Sequence, residues 1–312
     1  MSPVVRIGTR ASPLAQAQSR QMQARIAAAL GAPPEDADRV APLVLITTTG
    51  DRIQDRRLLE LGGKALFTKE IEEALLDGRV DCAVHSMKDV PAVMPPGLVI
   101  SAVPEREDPR DAFVSPDHAF LDALPQGAVL GTASLRRQAQ TLRRRPDLEV
   151  VMLRGNVGTR LAKLELGEAA ATLLAMAGLN RLGLAHLARE AFDPVVAPPA
   201  PGQGALAIQT READGDAVWT RALHHRESEL SVAAERGALE ALEGNCRTAV
   251  GAHARLDGSV LSLVVEALTS DGRTRWRREG VTDVADLTRA IALGRELGGQ
   301  VREEAGDRLE LG

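Results

Sequence analysis

The sequence predicts an α/β protein of two doubly wound lobes, followed by a small α+β C-terminal domain with an antiparallel sheet. Three observations carry this. The chain has 312 residues, and at roughly 150 residues per domain that makes about two domains. Through its first two thirds, short apolar runs alternate with helical stretches, the pattern of βαβ units around a largely parallel sheet. From about residue 227 the rhythm changes to several strands in a row between two helices.

Each element follows from local signals. Residues 4–8 form an apolar strand, and Ser12-Pro13 then starts a helix, with Ser as N-cap and Pro at the first helical position. Residues 43–46 are a second strand. Thr68 opens a helix over 69–76 that Gly78 closes, and residues 82–84 enter the loop His85-Ser86-Met87-Lys88-Asp89-Val90-Pro91. Residues 98–103 complete lobe 1 before a charged, proline-bearing link. Residues 129–131 lead into a helix capped near Ser134, 150–153 into Asn156 and another helix, and 172–175 are a buried strand. The run 197–204 is a loop by composition, and the strand 205–209 returns to the first lobe. A helix over 230–242, strands near 250–256, 260–267 and 274–278, and a helix from 284 complete the chain. The expected boundaries are 1–104 with 205–222 for lobe 1, 108–200 for lobe 2, and 227–312 for the C-terminal domain.

Composition narrows the function. A formal charge of −5 lacks the basic footprint of a nucleic-acid binder. Four Phe, two Trp and no Tyr leave few aromatic platforms for stacking bases. The longest uncharged stretch, residues 194–210, is broken by Pro and Gly, short of the about 20 continuous apolar residues that span a membrane. The N-terminus lacks the apolar core of a secretion signal. Cys82 and Cys246 are too far apart in sequence for a zinc cluster or a disulfide framework. A cytoplasmic protein with neither nucleic acid nor membrane as partner, and no metal, is expected.

Four strand-to-helix turns carry hydroxyls and cations together: Thr9-Arg10-Ala11-Ser12, His85-Ser86-Met87-Lys88, Thr132-Ala133-Ser134-Leu135-Arg136-Arg137, and Arg154-Gly155-Asn156-Val157-Gly158-Thr159-Arg160. Helix N-termini offer unpaired N–H groups to anions, and arginine adds a planar fork matched to carboxylate or phosphate. In open α/β sheets such turns lie at the carboxyl ends of the strands, where ligands bind. The window 136–160 holds seven Arg against two acids, a local excess of five in an acidic chain. Phosphate-cofactor motifs are absent: Gly62-Gly63-Lys64-Ala65 lacks the P-loop hydroxyl and spacing, and Gly202-Gln203-Gly204 completes no dinucleotide fingerprint. A small polycarboxylate between the two lobes remains.

Two further residues stand out. Cys246, in Glu243-Gly244-Asn245-Cys246-Arg247, is either an exposed thiol that Arg247 favours as thiolate or a small buried hydrophobe. Cys82, flanked by Val80 and Val84, reads as core. Asp89 precedes Val90-Pro91, which curtails a helix and leaves a carboxylate in a tight loop. The charged run 50–57 reads as a lid.

Five motifs in order, His85-Ser86-Met87-Lys88-Asp89-Val90-Pro91, Glu107-Asp108-Pro109-Arg110-Asp111-Ala112-Phe113, Ser134-Leu135-Arg136-Arg137-Gln138, Leu153-Arg154-Gly155-Asn156-Val157-Gly158-Thr159-Arg160 and Leu242-Glu243-Gly244-Asn245-Cys246, resemble the porphobilinogen deaminase (hydroxymethylbilane synthase) family. The resemblance implies a transferase of tetrapyrrole and heme synthesis. Its substrate is porphobilinogen, and its dipyrromethane cofactor is held covalently through a thioether to Cys246. It also implies Asp89 as the catalytic carboxylate, loss of ammonia to an azafulvene, four pyrrole additions and hydrolytic release of hydroxymethylbilane. Cofactor and substrate carboxylates are then expected on Arg10, Ser12, Lys64, Ser86, Lys88, Thr132, Ser134, Arg136, Arg137, Arg154, Arg160 and Gln203, in a monomer. Asn245 stands where the family commonly has Gly, Glu60 where some members carry Lys, and Arg247-Thr248-Ala249-Val250 where Gln-Val-Pro-Ile is usual. A second reading, a non-catalytic protein built like two-domain solute-binding proteins or ligand sensors, accounts for the arginines but leaves Cys246, Asp89 and the third domain idle.

Overall fold

The structure, a computed structural model, describes residues 4–49, 68–91, 93–243, 248–283 and 286–309. Lys64, Cys246 and the run 50–57 lie outside the described residues. In chain order the elements are β1 (Ile7–Thr9), α1 (Pro13–Ala29), α2 (Ala37–Val40), β2 (Leu43–Leu45), α3 (Lys69–Leu76), β3 (Cys82–Ser86), β4 (Leu98–Ala102), β5 (Asp111–Val114), β6 (Val129–Gly131) and α4 (Leu135–Arg144). There follow β7 (Glu149–Val151), α5 (Val157–Glu165), β8 (Ala171–Ala175), α6 (Met176–Arg181), β9 (Glu190–Ala191), β10 (Leu206–Arg211), α7 (Val218–Leu223), α8 (Arg226–Ala241), β11 (Ala249–Asp257), β12 (Val260–Leu268), β13 (Arg275–Asp283) and α9 (Leu287–Ala305).

The chain divides into two compact units, Met1–Glu107 with Ala205–Glu229, and Asp108–Gly204 with Leu230–Gly312. The first unit holds a five-stranded sheet in the order β2-β1-β3-β10-β4. β1 pairs in parallel with β2 and β3, whereas β10 runs antiparallel between β3 and β4. Both faces are covered, as a mostly parallel sheet requires. Cys82 and Val84 of β3 pack with Met22 and Ile26 of α1 and Leu223 of α7. Ala83, pointing the other way by strand alternation, packs with Ile71, Ala74 and Leu75 of α3.

The second unit holds a five-stranded sheet in the order β7-β6-β8-β5-β9. Its wiring repeats the first: β6 is parallel to β7 and β8, and β5 runs antiparallel to β8 and β9. In each sheet the antiparallel strand is the one the chain reaches on arriving from the other unit. The antiparallel strand therefore begins where the parallel strands end, with Asp111 opposite Ala175 and Leu206 opposite Ser86.

The same unit carries the antiparallel sheet β11-β12-β13, with α8 and α9 joined through a seam of small residues. A Cβ on Gly298 would stand 2.6 Å from the Ala238 carbonyl oxygen, so the helices meet backbone to backbone. Two expectations are corrected here. β13 extends to Asp283 rather than stopping at Arg278, because Gly280 lets the strand lie against Leu293 and Leu297 of α9 while pairing with Leu263 of β12. The final helix starts at Leu287, where the Asp286 side chain accepts from the Arg289 N–H at 3.0 Å as N-cap.

Candidate functional site

At the carboxyl edge of the first sheet stand Arg10 and Ser12 after β1, Ser86 as the last residue of β3, and Lys88 and Asp89 in the turn that follows it. The Ser12 hydroxyl caps α1 by accepting from the Ala15 N–H at 3.3 Å, and Pro13 follows at the first helical position. The buried Gln18 amide donates to Ser86 Oγ at 2.9 Å, which leaves the hydroxyl proton available to a ligand. Met87–Asp89 form one 3₁₀ turn, and Val90 returns to extended backbone, as the residue before a proline does. Met87 anchors the turn in the core at 2% exposure, while Lys88 and Asp89 face solvent. Among the described residues Asp89 forms no hydrogen bond or ion pair, so no described group neutralises its charge directly.

Behind this turn lies a buried polar chain. His85 Nε2 lies 2.9 Å from Gln209 Oε1, and Gln209 Nε2 donates to Glu72 Oε1 at 3.3 Å. An amide oxygen only accepts, so Nε2 carries the proton in this pairing. Burial holds the His85 imidazolium down to a pKa of about 4, with the Arg10 charge acting the same way and the Gln209 bond opposing both. The fold thus favours the neutral ring. Its contribution is complete above the ordinary histidine value of about 6.5 and is lost as pH falls from there toward about 4, in all some 3 kcal/mol, to order of magnitude. The melting temperature should therefore decline through that window, and His85→Gln, which cannot titrate, should decline less steeply. Identical slopes would remove His85 as the cause.

The second sheet carries the cations. α4 follows β6 through Thr132 and Ser134: Thr132 Oγ1 accepts from the Ser134 N–H at 3.2 Å, and Ser134 Oγ accepts from the Arg137 N–H at 3.4 Å. The first turn of α4 then faces Asp111 at the start of β5. Arg136 Nη1 lies 2.6 Å from Asp111 Oδ2, and Arg137 Nε and Nη2 lie 3.0 and 2.7 Å from Oδ1. All three residues are buried. The two guanidinium groups outweigh the desolvation penalty and hold the Asp111 carboxyl far below the usual carboxylate range. Gln203, expected among the ligand contacts, donates its amide to Pro109 O at 2.7 Å and Asp111 Oδ1 at 3.0 Å.

Arg154 and Arg160 differ from this pair. Gly155, at φ 123°, makes the turn between them, and a Cβ there would fall 2.6 Å from the Thr159 side chain. Asn156 then caps α5 by accepting from the Thr159 N–H at 2.9 Å. Arg160 Nε donates to Gly155 O at 2.9 Å. Arg154 Nη1 is buried with no hydrogen-bond partner among the described residues. Burial lowers the Arg160 guanidinium to a pKa of about 10, and the neighbouring charges of Arg137 and Arg154 add to the shift. Asp111 already pairs with Arg137, whereas Arg154 and Arg160 are half-buried like charges beside it. Two such cations are costly unless an anion joins them, and their donors suit carboxylates.

Cys82 is fully buried on β3, and burial pushes its thiol far above the ordinary value. Among the described residues no cluster of His, Cys, Asp and Glu could hold a metal ion, and no helix is long and apolar enough to cross a membrane. Asp111 is the residue that site reasoning from sequence missed. It sits within Asp108-Pro109-Arg110-Asp111-Ala112-Phe113, but only the antiparallel placement of β5 brings it to Arg136 and Arg137.

Both α/β sheets thus carry hydroxyls and cations at their carboxyl edges, and the second adds the half-buried Arg154 and Arg160. The family model described as porphobilinogen deaminase, dipyromethane cofactor binding domain, matches residues 5–219, and the porphobilinogen deaminase C-terminal domain matches residues 229–303. A porphobilinogen deaminase of Caulobacter sp. (strain K31) is 66% identical over 98% of both chains, and one of Phenylobacterium zucineum (strain HLK1) is 62% identical over 99% of both. Among solved structures, a periplasmic substrate-binding protein of an ABC transporter from Coxiella burnetii aligns at 16% identity and TM-score 0.44, covering 75% of this chain and 97% of that one. The chain belongs to the porphobilinogen deaminase family. It is a transferase of tetrapyrrole synthesis with dipyrromethane as its cofactor. The non-catalytic reading is not favoured.

Proposed function

We propose that the protein deaminates porphobilinogen and joins four molecules head to tail on a dipyrromethane attached to Cys246, releasing hydroxymethylbilane. The observation that carries the reading is the pair of half-buried cations Arg154 and Arg160, with Arg154 Nη1 buried and without a hydrogen-bond partner among the described residues. The residues fit the cofactor's chemistry, since a dipyrromethane with acetate and propionate arms is a polycarboxylate. When bound, it supplies a pyrrole chain end that acts as nucleophile and stays on the protein between additions.

The chain's own groups have distinct tasks. Arg154 and Arg160, with Arg136 and Arg137, neutralise carboxylates, and Arg10, Lys64 and Lys88 add cations. Ser12, Ser86, Thr132 and Ser134 offer hydroxyl protons at the helix starts, where the dipole also favours negative charge. Asp89 holds a proton at the pyrrole nitrogen and stabilises positive charge developing there. The substrate is a small molecule. The acidic balance of −5 argues against a nucleic-acid partner, and the sparse cysteines fit a cytoplasmic setting; we propose a monomer.

Purified protein given porphobilinogen should release hydroxymethylbilane, and protein that leaves porphobilinogen unconsumed would defeat the reading. A hydrogen bond between arginine and carboxylate contributes about 1.5–3 kcal/mol. Arg154→Leu and Arg160→Leu should therefore raise the KM for porphobilinogen by about tenfold or more or block cofactor assembly, with the circular dichroism spectrum unchanged. Wild-type kinetics in both variants would sink the anion-site assignment.

A further inference from the structure

The described structure contains one buried carboxylate shared by two cations of the site. A buried charge persists only when it is paired and its remaining hydrogen-bonding capacity is met. Here Arg136 at 4% exposure and Arg137 at 6% both converge on Asp111 at 2%. The two arginines are bound unequally. Arg137 is engaged at all three nitrogens, with Nε and Nη2 on Asp111 and Nη1 on the Leu173 carbonyl at 2.9 Å. Arg136 is engaged through Nη1 alone, with Asp111, Gln140 Oε1 at 2.8 Å and the Pro198 carbonyl at 3.2 Å. Its Nε and Nη2 have no hydrogen-bond partner among the described residues.

Asp111 is itself fixed from two sides. Its backbone pairs with Ala175 of β8, and Gln203 donates to Oδ1. Gln203 follows Gly202, whose N–H donates at 2.7 Å to Glu235, a fully buried carboxylate on α8 that also accepts from the Ala254 N–H at 2.8 Å. The loop carrying Gln203 is thus pinned to α8 and β11 of the C-terminal sheet. One negative charge against two positive ones leaves a net cation, and fixing it through Arg136 Nη1 turns the Nε/Nη2 edge into a preset donor pair. A freely rotating arginine would lose more side-chain entropy on binding.

We propose that Asp111 is a positioning residue of the anion site, aiming the Nε/Nη2 edge of Arg136 at a ligand carboxylate, and that Gln203 holds Asp111 in place. The proposal rests on the carboxylate-binding reading above. It locates specificity in a side chain that does not touch the ligand.

The test compares wild type, Asp111→Asn and Gln203→Leu as purified full-length proteins. Porphobilinogen binding is read by calorimetry, and turnover separately as KM and kcat. Asp111→Asn should weaken binding and raise KM at least tenfold while kcat falls less than threefold. Gln203→Leu, which leaves both ion pairs in place, should shift binding and KM about threefold in the same direction. Wild-type binding and KM in either soluble variant, with only a lowered melting temperature, would reduce Asp111 to a structural ion cluster and overturn the proposal. If Asp111→Asn is insoluble, Gln203→Leu decides alone. A wild type that binds porphobilinogen without turning it over would defeat the functional reading while the binding comparison still judges Asp111.

Discussion

The denatured mass of the purified protein should exceed that of its 312-residue chain by two linked pyrrole units, and Cys246→Ser should remove both the excess and all turnover. The choice between the two cysteines follows from thiol chemistry. The nucleophile is the thiolate, and Cys82, fully buried on β3 with its thiol pushed far up by burial, has no accessible thiolate to offer. Cys246 follows Glu243-Gly244-Asn245 just past α8 and precedes Arg247, whose charge favours the ionised form. A thioether, unlike a disulfide, survives reductant and denaturant together. Cys82→Ser should therefore keep the adduct and the activity. Brief exposure of wild type to porphobilinogen should add mass in steps of one pyrrole, because the growing chain stays attached until hydrolysis. An active wild type with the mass of the bare chain would end the covalent assignment.

The local half of this protein was legible in its sequence, and the non-local half was not. Ser12, Ser134 and Asn156 announced helix starts because a cap is a contact over three residues, and each caps as expected. The hydroxyl-and-cation turns were visible for the same reason, since strand end, cap and arginine are neighbours in the chain. Asp111 was invisible as a counter-ion because it meets Arg136 and Arg137 across 25 and 26 positions, and Gln203 across 92. The family resemblance places Gln203 among the ligand contacts, and the structure adds its bond to Asp111, which no local signal announces. The repeated wiring of the two sheets left no internal repeat, because strand order is held by backbone hydrogen bonds that many side chains permit. β13 was cut short at Arg278 because its far end alternates exposed and half-buried residues, the signature of an edge strand with one covered face.

Asp89→Asn should lower kcat by orders of magnitude while leaving the fold and the dipyrromethane in place. The substitution keeps size and a hydrogen-bonding oxygen but removes the charge. Nothing in the fold requires that charge: Asp89 is exposed and forms no hydrogen bond or ion pair among the described residues, whereas Asp81 is locked to Arg6 at 2.8 Å and Asp111 to two arginines. The backbone around Asp89 is fixed independently, by buried Met87 on one side and extended Val90 before Pro91 on the other. A carboxylate so held, with no ion pair among the described residues, is preorganised for positive charge that develops only during reaction, the arrangement that contributes most to a rate. Lys88, the adjacent cation, should act on binding, so Lys88→Met should raise KM more than it lowers kcat. Electrostatic stabilisation of this kind is worth about 100-fold to 1,000-fold per group removed. If Asp89→Asn keeps more than about a tenth of the wild-type rate, a loss under ~1.4 kcal/mol of barrier, the proton and the positive charge are handled by another residue.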